Sequence, residues 1–437
     1  MKNSIRNKKN LFIISTIIIL VVSVFIKFNY YKFYSIYFIK KWELTKNLIE
    51  KKNLKTIEHL SQNKIYFENK EYNFINFPLE KYGISYLNDY FHRPLGYIDI
   101  YKDRIIFASY DGKIFYTNNI DEIKKKNLIL NKFEIFNYNF DFDFKDGLYY
   151  RNIKIRDILV DGEDLYVVTN GRTKIDEDNY YGSTNILKGK INLNDSKIYF
   201  NSFFSPDEKI LDIVDWSHTG GRLVKYKNSS FLLSVPDYAL MNDYKKLTKL
   251  VNSKKSIIGK ILLVEDGKFK IFSYGHRNPQ GLYYDDKNDL IFETEHGPTG
   301  GDEINLIKKN KNYGWPEATY GARIEGLNFI RNHKKNGYVE PLSYWWPRGC
   351  GVSEIIKVDN NFNDGWKNYT IINACLSGSK DQGKSIYRWE FDIKKETLIK
   401  KNKYHIGDRI RDIKYLKSKK TIMMLLENKR SLALIFK

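Results

Sequence analysis

SYGHRNPQGLYYDDKNDLIFETEHGPTGGDEINLIKKNKNYGWP, residues 273–316, sets a hairpin between two polar, glycine-rich segments. In the first, Gly275-His276-Arg277-Asn278-Pro279-Gln280-Gly281, a cation and two amides lie between two glycines. The hairpin alternates Leu282 with Tyr284 on one predicted strand and Leu290 with Phe292 on the next. The second segment, Glu295-His296-Gly297-Pro298-Thr299-Gly300-Gly301-Asp302-Glu303, offers backbone carbonyls beside two closing carboxylates. Glycine lets backbone approach a ligand closely, and a hard cation such as calcium takes carbonyl and carboxylate oxygens together.

The same strand, turn and strand recur outward from this hairpin. Ile98-Asp99-Ile100 leads to Phe107, Ile158-Leu159-Val160 to Val168, and Leu223-Val224 to Val235. Leu282-Tyr283-Tyr284 leads to Phe292, Ile355-Ile356-Lys357 to Ile372, and Ile413-Lys414-Tyr415 to Leu426. These six units are spaced by about 60 residues. Units of this kind at a fixed period predict an all-β repeat fold in which each sheet buries its faces against its neighbours, as in a β-propeller. The period exceeds the roughly 40 to 50 residues of common propeller repeats, so each blade should carry a long connection. Residues 119–146, 171–188, 238–255 and 320–341 are the candidates, and loops on one rim of a rigid scaffold are where sites are built. Aromatics make up 16% of the chain, with 34 Tyr and 27 Phe, which favours strands over helices.

At 437 residues the chain can bury one large core. Its formal net charge is +21, but Lys and Asn are scattered among Ile and Tyr. Without a basic helix or an aromatic-spaced basic stripe, nucleic acid is not an expected partner. The cysteines, Cys350 and Cys375, make neither a disulfide framework nor a CxxC metal knuckle. In an extracytoplasmic domain they could pair; otherwise they stand as two buried thiols.

The N-terminus has its own pattern. Lys2, Arg6, Lys8 and Lys9 precede an apolar run of 16 residues, 11–26, which Lys27 ends. The run is slightly short for a span of about 20, and Phe28, Tyr30 and Tyr31 can extend it as an interfacial aromatic belt. Large aromatic residues follow instead of a small-residue cleavage site, so the segment reads as an uncleaved signal anchor with its N-terminus in the cytoplasm. Residues 43–62 carry Leu44, Leu48, Ile49, Leu54, Ile57 and Leu60 at roughly helical spacing, predicting a stalk helix. The expected organisation is a basic tail and transmembrane anchor helix in 1–27, a juxtamembrane stalk in 28–92, and the propeller in 93–437.

Two further segments carry chemistry. His218 lies in Ser217-His218-Thr219-Gly220-Gly221-Arg222-Leu223, just before a blade strand, where an imidazole can take a proton near neutral pH. Arg222 reads as structural, pairing with a carboxylate near the strand start. Arg409 and Arg411 stand two apart in Gly407-Asp408-Arg409-Ile410-Arg411-Asp412, so they share a strand face. Two guanidiniums on one face need an anion or much water.

GHRNPQGL (275–282) and EHGPTGGDEINL (295–306), with the trailing NYGWP (312–316), resemble the glucose/sorbosone dehydrogenase family of soluble-type quinoprotein sugar dehydrogenases. The resemblance covers roughly Arg93 to the C-terminus and implies an all-β six-bladed β-propeller using pyrroloquinoline quinone (PQQ) and calcium (Ca2+). It implies oxidation of an aldose sugar at C1 to a lactone, with hydride passing to the quinone and His218, in HTGGRL, as the base. Arg277, Asn278, Arg409 and Arg411 fall on positions that contact PQQ, whose carboxylates suit guanidinium groups. Gly297 and Pro298 match the carbonyls that hold the calcium on PQQ. Glu303, with Asp302 and the Tyr313 carbonyl, corresponds to a separate structural calcium site. With the anchor, the expectation is a single-pass protein of the bacterial inner membrane, its catalytic domain facing the periplasm and an electron acceptor in or near the membrane. A homodimer is compatible with the resemblance.

The sequence also departs from the family pattern. Ser217 stands where relatives often have an acid, and Ser377 where a lysine commonly touches the cofactor. Ile153-Lys154-Ile155-Arg156-Asp157 lacks the usual Gly-Leu-Leu-Asp look but keeps the Asp. An alternative therefore stands beside the enzyme: a non-catalytic envelope propeller binding a sugar polymer or a protein. A weaker third reading is a calcium-dependent lactonase. Trp345-Trp346-Pro347 could line the mouth as a sugar platform or pack in the core.

Overall fold

The computed structural model describes residues 63–437 except 83, 85–94, 111, 139–153, 175–179, 209, 212–217, 219, 241–243, 323–332 and 377–381. Six sheets follow one another along the chain, and each is a blade. Their innermost strands are Gly96–Tyr101 (blade 1), Lys154–Asp161 (blade 2), Leu223–Lys225 (blade 3), Pro279–Asp285 (blade 4), Val352–Lys357 (blade 5) and Ile410–Leu416 (blade 6). All the strand pairs that run outward from these are antiparallel, apart from Glu134–Phe136, which lies parallel to Lys197–Phe204 at the rim of blade 2. The expected six-bladed β-propeller is therefore observed.

Burial explains why the second strand of each blade is continuously apolar. In Thr421–Leu426 of blade 6, Ile422, Met424 and Leu426 pack toward blade 5, while Met423 and Leu425 pack toward blade 1. Alternate residues of a strand face opposite sides, so a strand with a blade on each face is apolar at every position. Six apolar clusters result, each wedged between adjacent blades.

The blades are also stapled where their inner strands meet. Asp412 Oδ2 of blade 6 accepts the Ile98 N–H of blade 1 at 2.8 Å, and Asp99 Oδ2 accepts Val160 N–H of blade 2 at 2.6 Å. Asp157 Oδ2 accepts Leu223 N–H at 2.9 Å, and Glu354 Oε1 of blade 5 accepts Leu282 N–H of blade 4 at 3.0 Å. The Arg222 guanidinium sits among these acids, its Nη1 3.1, 3.0 and 3.1 Å from Asp157, Asp412 and Glu354. Its structural reading holds. Lys414 is the second cation of this hub, 3.5 Å from Glu354.

Two expectations change, and two readings left open by the sequence are decided. Lys64–Phe67 and Lys70–Pro78, expected in the stalk, are the two outer strands of blade 6, where Lys70–Pro78 pairs with Ser431–Phe436. The propeller thus begins before residue 93, because its last blade is completed by the first strands of the described chain. Within 171–188, expected as a loop, residues 171–174 and 180–188 are instead strand, in the paired Asp164–Lys174 and Tyr180–Lys190 of blade 2. Trp345 is 1% exposed and packs against Tyr387 and Trp389, so it is core and not a platform. Cys350 and Cys375 are joined by a disulfide, with Cα atoms 5.5 Å apart. Among the described residues no helix is long and apolar enough to cross a membrane. The predicted anchor (11–26) and stalk helix (43–62), and Ser217 and Ser377, lie outside the described residues.

Candidate functional site

His218 stands in the turn that leads into the inner strand of blade 3. Gly221 follows with φ +94°, and a Cβ there would lie 2.7 Å from Arg156 Cβ, so glycine lets this turn press against blade 2. The imidazole is 13% exposed and held from both sides. Its Nδ1 lies 3.2 Å from Asp237 Oδ1 and its Nε2 3.1 Å from Arg277 Nη2. A guanidinium can only donate, so Nε2 is the acceptor and Nδ1 carries the proton toward Asp237. That tautomer presents a basic lone pair at Nε2.

Asp237 is fully buried and fixed in turn. Its Oδ2 accepts from Trp315 Nε1 and its Oδ1 from Ala239 N–H, both at 2.9 Å. Its own N–H donates to Arg277 O at 2.8 Å. Sequence reasoning missed this residue. The available signal was an acid directly after Pro236, where the apolar blade 3 strand Phe231–Val235 ends.

Arg277 spans the site from blade 4. Besides His218, its Nη1 donates to the carbonyls of His296 (2.9 Å) and Gly297 (2.8 Å), and its guanidinium lies 5.3 Å from the centre of the Trp315 ring. Asn278 Oδ1 accepts from Gly220 N–H (3.3 Å) and from Gln280 Nε2 (2.9 Å). Gln280 Oε1 meets Arg411 Nη1 at 3.4 Å. Arg411 and Arg409 then share one carboxylate, Glu427, through their Nε atoms at 2.6 and 2.8 Å. Two hydrogen-bonded chains, one through His218 and Arg277 and the other through Asn278, Gln280, Arg411, Glu427 and Arg409, meet at the consecutive residues Arg277 and Asn278 across blades 3, 4 and 6. Both guanidiniums are of the type that pairs with the carboxylates of an anionic ligand. Glu427, on the turn after the Thr421–Leu426 strand, was not anticipated either.

The expected metal ligands divide. The Gly297 carbonyl carries Arg277 Nη1, so a cation there competes with that guanidinium. Pro298 adjoins it, packed near Gly321. Asp302 ties loops together here: Oδ1 accepts Gly297 N–H (3.2 Å) and Oδ2 accepts Gly351 N–H (2.6 Å). Glu303 and Tyr313 do come together, lining a small cavity with Arg277, Glu295, Trp315 and His333. Glu303 Oε1 is 3.7 Å from His333 Nε2, and burial, then the nearby Glu295, hold the Glu303 carboxyl well above the usual range.

A family model for glucose/sorbosone dehydrogenases matches residues 172–435. The chain belongs to the glucose/sorbosone dehydrogenase family. Among its relatives, an aldose sugar dehydrogenase of Escherichia coli is 32% identical over 139 residues, 30% of this chain and 38% of that protein. Quinoprotein glucose dehydrogenase B of Acinetobacter calcoaceticus is 54% identical over 48 residues, 11% of this chain and 10% of that protein. The match thus spans half or less of the length of these curated relatives. The fold is shared with the soluble aldose sugar dehydrogenase of Escherichia coli in its apo form (TM-score 0.61, 19% identity, 78% of this chain and 95% of that one). It is also shared with the PQQ-bound aldose sugar dehydrogenase of Streptomyces coelicolor (TM-score 0.55, 17% identity, 83% and 98%). Within the family, the segments that carry the resemblance are those that form the polar network.

Proposed function

We propose that this family member oxidises aldose sugars at C1 to lactones, with PQQ as the electron acceptor and His218 as the general base. One observation carries the reading: His218 is clamped between Asp237 and Arg277, and Asn278, next to Arg277, begins the chain of hydrogen bonds that runs to Arg411 and Arg409. PQQ, when bound, supplies the two-electron acceptor for the C1 hydride. Arg277, Asn278, Arg409 and Arg411 are the residues that would hold it, their guanidiniums matching carboxylates. Asp237 keeps the proton on His218 Nδ1, so Nε2 is free of hydrogen and can take the proton of the anomeric hydroxyl. Arg277 Nη2 lies on that nitrogen here, so the hydroxyl reaches it by displacing this contact. Calcium would be held at the Gly297 and Pro298 carbonyls, where it would act as a Lewis acid on the quinone. Glu303, with Asp302 and the Tyr313 carbonyl, would hold a separate structural calcium. The Cys350–Cys375 disulfide supports an oxidising compartment. Together with the N-terminal anchor read from the sequence, the proposal is a propeller on the periplasmic side of a bacterial inner membrane, with an acceptor in or near that membrane.

The test uses the full-length chain loaded with PQQ and calcium, following dye reduction by a panel of aldoses. His218→Ala should lower kcat by about 10²–10⁴-fold while PQQ uptake, read by absorbance, persists. Undiminished activity in that variant would remove the base. Failure of the wild type to take up PQQ would favour the non-catalytic envelope binder.

A further inference from the structure

On blade 4, Glu293 and Glu295 stand two apart on Leu290–Glu295 and so share a face. The neighbouring strand, Asp302–Leu306, sets Asn305 opposite Glu293 and Glu303 opposite Glu295. Three carboxylates meet there, with exposures of only 0, 4 and 5% for Glu293, Glu295 and Glu303. Like charges directly opposite across a ladder repel, and buried carboxylates need compensating charge. Among the described residues no lysine or arginine side chain pairs with Glu293 or Glu295. The group that reaches all three acids is the Asn305 side-chain amide, 3.0 Å from Glu293, 3.3 Å from Glu295 and 3.4 Å from Glu303.

His276 closes the cluster. It is fully buried, stacked on Tyr313 with ring centres 4.7 Å apart, and its Nε2 is 2.9 Å from Ser273 Oγ. Its Nδ1 has no hydrogen-bond partner and points at Glu295 Oε1 from 3.8 Å, too far for a hydrogen bond. Glu293 Oε1, also fully buried, has no partner either. Protons alone do not resolve the arrangement, because a proton on Glu293 Oε1 would be a buried donor with nothing to accept it. Donor atoms of His276, Glu293 and Glu295 all lie within 4.8 Å of one another, close to the span of ligands around one ion.

We propose that His276 Nδ1, Glu293 and Glu295 bind a divalent transition-metal ion, with Ser273 Oγ accepting the Nε2–H that orients the imidazole. A nitrogen donor beside two carboxylates suits zinc or manganese, whereas calcium takes oxygens. Ser273 provides the outer-shell contact that metal-bound imidazoles usually have. The site adjoins Glu303 and Tyr313 but uses donor atoms of other residues, and it does not depend on sugar oxidation. Its other role is positional: Glu295 Oε2 accepts Arg277 N–H at 2.6 Å, so an ion on Oε1 would brace the residue that contacts His218.

The full-length chain is stripped with a chelator, reloaded separately with zinc, manganese or calcium, and desalted. Bound ions are then counted by elemental analysis and thermal unfolding is followed. The wild type should retain one equivalent of zinc or manganese. Glu293→Gln and His276→Gln should bind at least tenfold more weakly, and Glu303→Gln should keep the ion. Without metal, Glu293→Gln should melt higher than wild type, because a buried carboxylate is gone; with metal the order should reverse. A misfolded variant cannot produce that reversal. The proposal falls if wild type retains neither zinc nor manganese, if Glu293→Gln binds as tightly as wild type, or if calcium alone is held and Glu303→Gln loses it.

Discussion

At His218 the chemistry depends on which ring nitrogen carries the proton, and Asp237 decides that. Asp237→Asn replaces an obligate acceptor with a group that can also donate, so the imidazole can adopt the tautomer with Nε2 protonated. If His218 is the base, kcat of the PQQ-loaded enzyme should fall by about 10²–10⁴-fold, while PQQ binding stays near that of wild type. A purely structural Asp237 would lower stability and PQQ binding together, so measuring both separates the two roles. His218, Arg277, Asn278 and Arg411 were legible because each sits in a short local pattern. Asp237 and Glu427 were not. Their partners lie 19 and 16 to 18 residues away, brought together by blade geometry, and a lone acid after a core strand has no local mark. The loop-tying role of Asp302 was missed for the complementary reason. Its carboxylate lies beside carbonyl-rich glycines, but those loops also leave backbone N–H groups that need an acceptor.

Among the elements, blade 5 carries the one covalent cross-link seen among the described residues. Cys350 and Cys375 are separated by 25 residues. Closing a loop of that length contributes about 3–4 kcal/mol by restricting the unfolded chain. Replacing both cysteines with serine should lower the thermal midpoint correspondingly in scanning calorimetry, and reductant should lower that of the wild type but not of the variant. The apolar second strands were readable because burial on both faces writes every position the same way. The strands Lys64–Phe67 and Lys70–Pro78 were not, although both are partly alternating. They are the outer pair of the blade, Lys64–Phe67 its edge, and what ties them in is the pairing of Lys70–Pro78 with Ser431–Phe436, more than 350 positions away. Local pattern reports the face a strand buries, not the strand it pairs with.

For the molecule as a whole, the inner hub sets the pH response of the ring. Burial, outweighing Arg222 and Lys414, raises the Asp157 carboxyl above its usual range. A carboxyl raised in the folded state binds its proton more tightly there. Its contribution to stability is therefore fully present below the ordinary aspartate pKa of about 3.9 and is lost as pH rises through the folded value. Asp157→Asn should accordingly cost more stability at pH 5 than at pH 8, measured by urea denaturation at both. An equal cost at the two pH values would mean that the aspartate stays ionised in the hub throughout. The six-bladed count was legible in the repeat, but the staples between blades were not, because each acid meets its backbone partner only once the ring is formed.

Closing the ring with its earliest strands also has a cost in time. On a ribosome the Lys70–Pro78 strand emerges long before Ser431–Phe436 exists to receive it. At usual elongation rates of 5–20 residues per second the wait is roughly 20 to 70 s. For that interval Tyr72, Phe74 and the strand's open edge are exposed to other nascent chains, and the last blade can lock only after nearly the whole described chain has been made.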